Sequence, residues 1–423
     1  MVAAYDALRA EGVVVSRQGS GTVVTTGQRP ATRVSMASGD VVYRALVDEP
    51  SASISLACAI SRGHQSVADA IATTVAEDLP GLLELEYLPA GLPALRRAVA
   101  AMYTERGTPT VPEQVLVTCG AQQAIDLVAA AMLQPGDLVV AETPNFGGTL
   151  GVFRSAGARL QPVAMDREGV DDAAVARIVE RSAPALVYLM PSFHNPTGIA
   201  LAAHRRRRLA ELASASGVTL VEDNVLENSR LHVDPPPPIA AFAADGAPVV
   251  TVGSLSKVAW GGLRIGWVRA APDLVNRLAR VKALRDLGSP LLDQAVAVRL
   301  LGRLDDLVEE RRRQLLEHHA LVSALLHDRL PDWTWEEPDG GMSLWIRLPS
   351  GNAAAFASLA GRYGVEVVPG DLMSPDGHQS HYFRLPFTAP PNALEETVER
   401  LASAWRAYAD DARSLTDRLT VVV

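Results

Sequence analysis

The sequence is poor in cysteine, in long apolar runs and in leader features, and each shortage excludes a class of protein. Its two cysteines, Cys58 and Cys119, cannot build a disulfide framework, which favours a reducing compartment. No uninterrupted apolar run approaches the ~20 residues that a membrane helix needs. The first twelve residues have no apolar core and no cleavage-site pattern, unlike a signal peptide. These absences predict a cytoplasmic protein with no membrane partner.

Charge and composition narrow the class further. Of the 423 residues, 48% are hydrophobic and 21% are charged, a balance that excludes wholesale disorder. At roughly 150 residues per domain, the length predicts two or three domains. The net charge of −9 argues against a surface devoted throughout to nucleic acid. Histidines and cysteines show no metal-ligand spacing, so the sequence predicts no metal site.

Short, nearly continuous apolar strands alternate with helical segments from about residue 67 onward. Strands of this kind, separated by helices, indicate a parallel sheet that is covered on both faces. After about residue 270 the pattern becomes mostly helical, and two later strands predict a second, smaller α+β domain. The predicted strands span 115–118, 138–142, 186–191, 218–223 and 248–254 in the first region, and 343–349 and 381–387 in the second.

The segment SLSKVAWGGLRIGW, residues 254–267, places a lysine directly after an apolar strand. Lys257 follows Ser254 and Ser256, and Arg264 comes seven residues later among glycines. A desolvated lysine is a Schiff-base nucleophile, and the serines and arginine can hold a phosphate group. The alternative is a solvated loop lysine beside a glycine turn. The neighbouring phosphate-binding side chains favour the functional interpretation.

Two further polar residues stand where strands end, which is where open α/β sheets bind their ligands. Asp223 ends the strand VTLVED, and its carboxylate could pair with a buried cationic nitrogen. Asn195 in PSFHNPTG precedes Pro196, and its amide could donate to a phenolate oxygen of a ligand. The alternatives are a cap or turn aspartate and an asparagine that caps a strand-to-helix turn.

Three other features suit a phosphate, a planar ring and a carboxylate in turn. A helix opens at Gly120, Ala121 and Gln122 straight after a strand, which offers backbone N–H groups to a phosphate. Phe146, on the loop after the next strand, could stack on a ring, and Arg384 could capture a carboxylate. The alternatives are an ordinary strand–helix junction, a packing phenylalanine and an ion-pairing surface arginine.

Together and in this order, these residues resemble the class I/II aminotransferases of the fold-type I, pyridoxal-phosphate-dependent superfamily, over residues 80–390. The resemblance implies an α/β fold, with a mostly parallel seven-stranded sheet sandwiched by helices and a smaller α+β C-terminal domain. It implies pyridoxal 5'-phosphate held by Lys257 as an internal aldimine, with Asp223 on the pyridine nitrogen, both as catalytic residues. The implied substrates are an α-amino acid and an α-keto acid.

The same resemblance gives roles to the remaining positions. It implies that Asn195 donates to the ring hydroxyl, that Phe146 stacks on the ring, and that Arg384, with Asn195, binds the substrate. Tyr87 matches a tyrosine that reaches a phosphate across a dimer interface, which implies a homodimer. The phosphate would be held by Gly120, Ala121, Gln122, Ser254, Ser256 and Arg264.

One position departs from the family pattern. Relatives usually carry a tyrosine two or three residues after the pyridine aspartate, whereas this sequence has Val225 and Leu226 there. The hydroxyl donor to the ring oxygen is therefore missing. We expect Asn195 to make that contact alone, with altered cofactor ionisation and weaker catalysis but retained cofactor binding.

The first residues carry a second resemblance. Two β-branched runs around Gly19 and Gly21 predict a hairpin, and AAYDALRAEGVVVSRQGSGTVV resembles the end of a GntR-type winged-helix domain. The whole chain then resembles a MocR-type regulator, in which a winged helix is fused to an aminotransferase-like domain. A DNA reader of this kind needs a full helix-turn-helix, so DNA binding is expected only where the missing N-terminal helices are supplied.

Three functions stay open on the sequence alone. The first is an aminotransferase that acts on an α-amino acid, and the second is a regulator that senses an amino compound through its cofactor. The third is another pyridoxal-phosphate reaction, such as β-elimination or decarboxylation. The expected parts are a winged-helix remnant (1–26), a linker and N-terminal arm (27–70), a large cofactor-binding domain (71–285), a small C-terminal domain (286–409) and a tail (410–423).

Overall fold

The computed structural model describes residues 14–17, 21–24, 53–60 and 62–420, and for 14–17, 21–24 and 410–420 it describes the backbone alone. The chain divides into two compact units, residues 1–37 and 38–423. In the first unit, β1 (Val14–Arg17) pairs antiparallel with β2 (Gly21–Val24), as the predicted hairpin requires. The rest of the predicted winged-helix remnant and most of the predicted linker lie outside the described residues.

The second unit is built on an eight-stranded sheet in the order β4-β11-β10-β9-β8-β5-β6-β7. Its strands run parallel, except that β11 is antiparallel to both its neighbours and β7 is antiparallel to β6. The resemblance implied seven strands, and the sheet has eight; the apolar runs of the sequence located five of them and left β6, β7 and β11 unmarked. The strands are β4 (Val115–Thr118), β5 (Leu138–Thr143), β6 (Arg159–Asp166), β7 (Gly169–Val170), β8 (Leu186–Leu189), β9 (Thr219–Asp223), β10 (Val249–Ser254) and β11 (Gly266–Arg269).

Helices cover both faces of this sheet, which is why its inner strands are continuously apolar. In β4, Val115 and Val117 belong to the core on one face, and Leu116 belongs to the core on the other. The helices of this region are α1 (Gln65–Glu77), α2 (Leu79–Leu82), α3 (Pro93–Glu105), α4 (Ala121–Met132), α5 (Gly147–Ser155), α6 (Asp172–Ser182), α7 (Ala203–Ser216), α8 (Pro272–Asp286) and α9 (Leu291–Leu301).

Three strand ends meet at one edge of the sheet. Because β4, β9 and β10 run in the same direction, Gly120, Asp223 and Ser254 all lie at the carboxyl ends of their strands. Helix α4 begins at this edge, with Gly120 as its N-cap residue. The topology therefore brings three separated motifs of the sequence together.

The C-terminal region packs helices against a small antiparallel sheet in the order β12-β15-β14. A two-stranded parallel pair, β3 with β13, joins the segment before residue 60 to this region. Within the described residues, no helix combines the length and the apolarity that a membrane span requires. The elements are β3 (Ile54–Ser55), α10 (Leu304–Arg329), β12 (Ser343–Arg347), α11 (Ala353–Arg362), β13 (Val365–Glu366), β14 (Val368–Pro369), β15 (Tyr382–Pro386) and α12 (Pro391–Thr420).

Candidate active site

A cavity of about 410 Å³ lies at the carboxyl ends of β9 and β10. Its size and its mixture of apolar walls with a few polar groups are typical of a small-molecule site. Of the twelve residues that the sequence singles out, ten line it: Ala121, Gln122, Phe146, Asn195, Asp223, Ser254, Ser256, Lys257, Arg264 and Arg384. Gly120 lies next to Arg264, which lines the cavity, and Tyr87 is not part of the lining.

Lys257 follows β10 and directs its amine into the cavity. Its Nζ donates a 2.7 Å hydrogen bond to the backbone carbonyl of Ala59. Burial, reinforced by the nearby Arg384 cation, lowers the pKa of Lys257 to about 8. A substantial fraction of this amine is therefore neutral near physiological pH, the form in which a lysine acts as a nucleophile.

One end of the cavity is suited to an anion. Gly120 has a φ of 81°, and a Cβ on it would come within 2.7 Å of Arg264 Nη2. Arg264 Nη2 in turn donates to the Cys119 carbonyl at 2.7 Å, which holds the guanidinium against the start of α4. A guanidinium beside a helix N-terminus attracts phosphate through both charge and N–H donors.

Two serines at the end of β10 complete this anion-binding end. Ser254 Oγ contacts Ser256 Oγ at 2.9 Å, and it accepts a 3.1 Å hydrogen bond from the Ser256 backbone N–H. The Ser254 hydroxyl also donates to the Ile265 carbonyl at 2.9 Å. These bonds fix Ser254 and leave the Ser256 side chain at the cavity wall.

Asp223 supplies a buried carboxylate to the cavity. It is 8% exposed, and burial raises its pKa. Two donors oppose that effect: the Tyr188 hydroxyl reaches Asp223 Oδ2 at 2.7 Å, and the Val225 N–H reaches Oδ1 at 3.0 Å. The carboxylate is thus held in place, and a cation beside it would favour its ionised form.

Arg384, in β15, faces the same cavity from the C-terminal region. Its Nη1 donates to Asn195 Oδ1 at 3.3 Å, and its Nη2 donates to the Ala57 carbonyl. Arg384 is 2% exposed, and burial lowers its pKa to about 10. A guanidinium held in this way suits bidentate binding of a carboxylate.

The remaining predicted residues are placed as follows. Phe146 is the N-cap residue of α5 and lines the cavity, where its ring can face a planar ligand. Gln122 Nε2 donates to the Gly148 carbonyl at 3.2 Å, which ties α4 to α5. Val225 and Leu226 line the cavity and provide no hydroxyl. Tyr87 is 75% exposed and does not line this cavity.

Sequence reasoning missed several residues of this site. The segment Cys58–Ile60 lines the cavity, and its neighbour Ala57 and its own Ala59 accept from Arg384 and Lys257. No local pattern in this segment signals a backbone contact made 198 residues away from Lys257. The sequence predicts Tyr188 only as part of an apolar strand, although a tyrosine hydroxyl within a buried strand indicates a buried hydrogen-bond partner. The other unforeseen lining residues are Ile125, Met190, Ser192, Phe193, Met342 and Ser343.

Comparison with known proteins identifies the kind of site. The chain matches the model of the family described as aminotransferase class I and II over residues 63–401. The chain belongs to this aminotransferase family. Its cofactor is accordingly pyridoxal phosphate, as in the related aminotransferase structure that contains a phosphopyridoxyl adduct.

Relatives of this aminotransferase include both enzymes and regulators. The 2-aminoadipate transaminase of Thermus thermophilus is 33% identical, over 77% of this chain and 82% of that protein. An uncharacterized HTH-type transcriptional regulator of Bacillus subtilis, YisV, is 30% identical, over 96% of this chain and 88% of that protein. The crystal structure of the α-aminoadipate aminotransferase LysN from Thermus thermophilus, complexed with N-(5'-phosphopyridoxyl)-L-leucine, superimposes with a TM-score of 0.79 at 29% identity, covering 86% of this chain and 94% of that chain.

The residues of this aminotransferase fit its cofactor. The cationic end at Arg264 suits the phosphate group, and the buried Asp223 suits a protonated pyridine nitrogen. Lys257 provides the amine that an aldehyde requires. Arg384 Nε is buried and has no hydrogen-bond partner among the described residues, so this cation retains a free donor for a carboxylate.

Proposed function

We propose that this aminotransferase moves the amino group of an α-amino acid to an α-keto acid, with Lys257 as the residue that carries the cofactor and transfers the proton. One observation carries the proposal: the Lys257 amine, the Asp223 carboxylate and the Arg384 guanidinium all line one cavity. The three groups differ in chemical role, and each makes its hydrogen bond to another residue. The Lys257 amine donates to the Ala59 carbonyl, the Asp223 carboxylate accepts from Tyr188, and the Arg384 guanidinium donates to Asn195.

Bound pyridoxal phosphate supplies the electron sink that accepts the electron pair of the substrate Cα–H bond. Asp223 holds a proton on the pyridine nitrogen, because its buried carboxylate favours an adjacent positive charge. Arg384 binds the substrate carboxylate and thereby orients the Cα–H bond. Lys257 Nζ takes the proton from Cα, as a positioned general base. Phosphate binding at Ser256, Arg264 and the start of α4 anchors the cofactor.

The two lysines of the chain make the attachment site directly testable. The sequence contains Lys257 and Lys282 alone, and Lys282 is fully buried in an ion pair with Asp286. We expect borohydride reduction of the cofactor-loaded protein to attach the cofactor at Lys257, as located by peptide mass spectrometry. Lys257→Ala should abolish the adduct and the transfer of amino groups, whereas Lys282→Arg should retain both. A reducible adduct in Lys257→Ala would refute the assignment.

We further propose that Tyr87 acts across a homodimer interface. Its 75% exposure leaves the hydroxyl free to reach a second copy of the chain, as the family resemblance implies. Sedimentation should show a dimer, and Tyr87→Phe should weaken cofactor affinity while the dimer persists. A monomeric protein of full activity would contradict this proposal.

A second candidate function is amino-compound sensing in a transcriptional regulator. It is favoured by the match to YisV, an HTH-type transcriptional regulator, over 96% of this chain. Mixing cofactor-loaded protein with a panel of amino acids separates the two functions. Release of keto acid together with conversion of the cofactor supports transamination. A saturable spectral change that persists without keto acid supports sensing.

A further inference from the structure

Three potential metal-binding side chains meet outside the cofactor cavity. His232 lies in the segment after β9, His319 lies in α10, and Glu337 precedes β12. One ligand atom from each lies within 4.8 Å of the others. They are separated by 87 and 18 residues in sequence, which is why no spacing motif marks them.

His319 is the buried member of this group. Its side chain is 7% exposed, and its ring packs edge-on against Phe387 at a centroid distance of 5.4 Å. Its Nε2 faces Glu337 Oε1 at 3.2 Å but lacks the alignment of a hydrogen bond, so this nitrogen has no hydrogen-bond partner in the described part of the chain. A buried imidazole nitrogen without such a partner has an unmet preference for a proton donor or a metal ion.

The other two members keep the group open to solvent. His232 is 51% exposed and Glu337 is 58% exposed, and His232 Nε2 lies 3.8 Å from the same Glu337 oxygen. The two imidazole rings are 6.0 Å apart and nearly perpendicular. An ion can therefore enter from solvent and meet two ring nitrogens and a carboxylate.

The spacing of the ligand atoms fits a tetrahedral ion. Zinc binds histidine nitrogen and carboxylate oxygen at about 2.0–2.2 Å, so neighbouring ligand atoms of a tetrahedral site lie roughly 3.3–3.5 Å apart. The two nitrogen–oxygen separations, 3.2 Å and 3.8 Å, bracket that range, and the ligand atoms of the two histidines lie within 4.8 Å of each other. Two histidines and one carboxylate leave the fourth position to water.

We propose that His232, His319 and Glu337 bind a divalent transition-metal ion, Zn²⁺ in particular, which joins three segments of the chain. The segment of His232 already pairs with the segment of Glu337, because the Leu231 and His232 N–H groups both reach the Asp339 carbonyl at 3.3 Å. The Gly341 N–H reaches the Ser229 carbonyl at 2.7 Å. The ion would link these two paired segments to α10, which carries His319.

The ion would stabilise a part of the chain that leads directly into the active site. Met342 and Ser343 follow the segment that contains Glu337, and both line the cofactor cavity. Upstream, the His232 segment begins at the end of β9, where Asp223 lies. Metal binding is thus expected to stabilise the fold and to leave the chemical groups of the cavity unaltered.

The experiment titrates Zn²⁺ into cofactor-loaded, metal-free protein in competition with a chromophoric chelator. We expect one equivalent to bind, and His232→Ala or Glu337→Gln to weaken it at least ~10-fold. Both positions are exposed, so these variants should fold. Matched controls are His378→Ala, which changes an 83% exposed histidine, and Glu336→Gln, whose carboxylate pairs with Arg167 instead.

Two readouts decide the outcome. Zn²⁺ should raise the melting temperature of the wild type and of both controls, but not that of His232→Ala or Glu337→Gln. Co²⁺ should give the intense visible absorption of a tetrahedral site in the same proteins that bind Zn²⁺. Cys58 and Cys119 are present in every variant, so thiol binding would not separate the variants from their controls. Equal Zn²⁺ affinity in all five proteins would overturn the proposal.

Discussion

The buried hydroxyl of Tyr188 donates a 2.7 Å hydrogen bond to Asp223 Oδ2. The two residues lie on neighbouring parallel strands, β8 and β9, so the sheet itself sets their separation. Thr149 Oγ, 3.2 Å away, is the second partner of the tyrosine oxygen. Tyr188 therefore positions the carboxylate and favours its ionised form. Tyr188 does not replace the hydroxyl donor that is missing at Val225 and Leu226, because its own hydroxyl donates to the Asp223 carboxylate.

The first prediction concerns Tyr188→Phe. Losing a hydrogen bond to a buried carboxylate costs about 1.5 kcal/mol, which corresponds to roughly tenfold, and it raises the pKa of Asp223 further. We expect kcat to fall about tenfold and the acid limb of its pH profile to move to higher pH, because Asp223 must be ionised to hold the ring proton. Steady-state kinetics from pH 5 to 9 measures both.

Tyr103→Phe is the matched control for this prediction. Tyr103 is equally buried, but its hydroxyl accepts from Trp267 Nε1 at 3.0 Å in a different part of the core. It should reproduce any loss of stability without moving the pH profile. An unshifted acid limb in Tyr188→Phe would show that the tyrosine has no influence on the ionisation of Asp223.

The sequence predicted the central strands well for a physical reason. Strands buried on both faces are continuously apolar, and the predicted 115–118 and 248–254 agree with β4 and β10 to within one residue. Strand β6 is different. It lies near the sheet edge, is mostly half-exposed and carries arginine, glutamine and proline, so no apolar run marked it. The two-residue β7 is buried, but it is too short to form a recognisable apolar run.

The site residues also differ in how well the sequence predicts them. Residues within one motif, such as Ser254, Ser256 and Lys257, could be grouped from the sequence because a strand end presents them together. The contacts of Lys257 and Arg384 with the carbonyls of Ala59 and Ala57 could not, because they arise from the backbone of a distant segment. Backbone acceptors carry no side-chain signature, so only the folded chain reveals them.

The second prediction concerns the ionisation of Lys257. In the protein without cofactor, burial and the Arg384 cation lower its pKa to about 8. Only the neutral amine attacks an aldehyde, so the rate of pyridoxal phosphate capture should rise with pH and level off above about 8. Stopped-flow absorbance at a series of pH values measures this. A rate that still climbs steeply at pH 10 would mean that Lys257 has the pKa of an ordinary lysine.

The third prediction concerns Arg384→Lys. A lysine retains the charge but loses the two parallel N–H donors that a carboxylate accepts. We expect KM for the amino acid to rise roughly 100-fold, in line with the 2–5 kcal/mol lost when a buried charged hydrogen-bond pair is broken, while the cofactor spectrum stays unchanged. Arg347→Lys on the neighbouring strand β12 is an exposed control and should leave KM unaltered. An equal KM in both variants would remove Arg384 from the substrate site.

The last prediction separates backbone strain from cofactor binding at Gly120. Gly120 and Gly217 both have positive φ, 81° and 74°, so alanine at either position should lower stability by ~1 kcal/mol. Around Gly217 a Cβ meets nothing within 4 Å, whereas at Gly120 it comes within 2.7 Å of Arg264 Nη2. Because this contact is the end of a flexible side chain, Gly120→Ala should fold with Arg264 displaced. We therefore expect similar melting temperatures for the two variants, but at least ~10-fold weaker pyridoxal phosphate affinity in Gly120→Ala alone, as a lost charge-assisted contact to phosphate requires. Equilibrium titration of the two apo proteins measures this difference, and equal affinities would exclude Arg264 as a phosphate ligand.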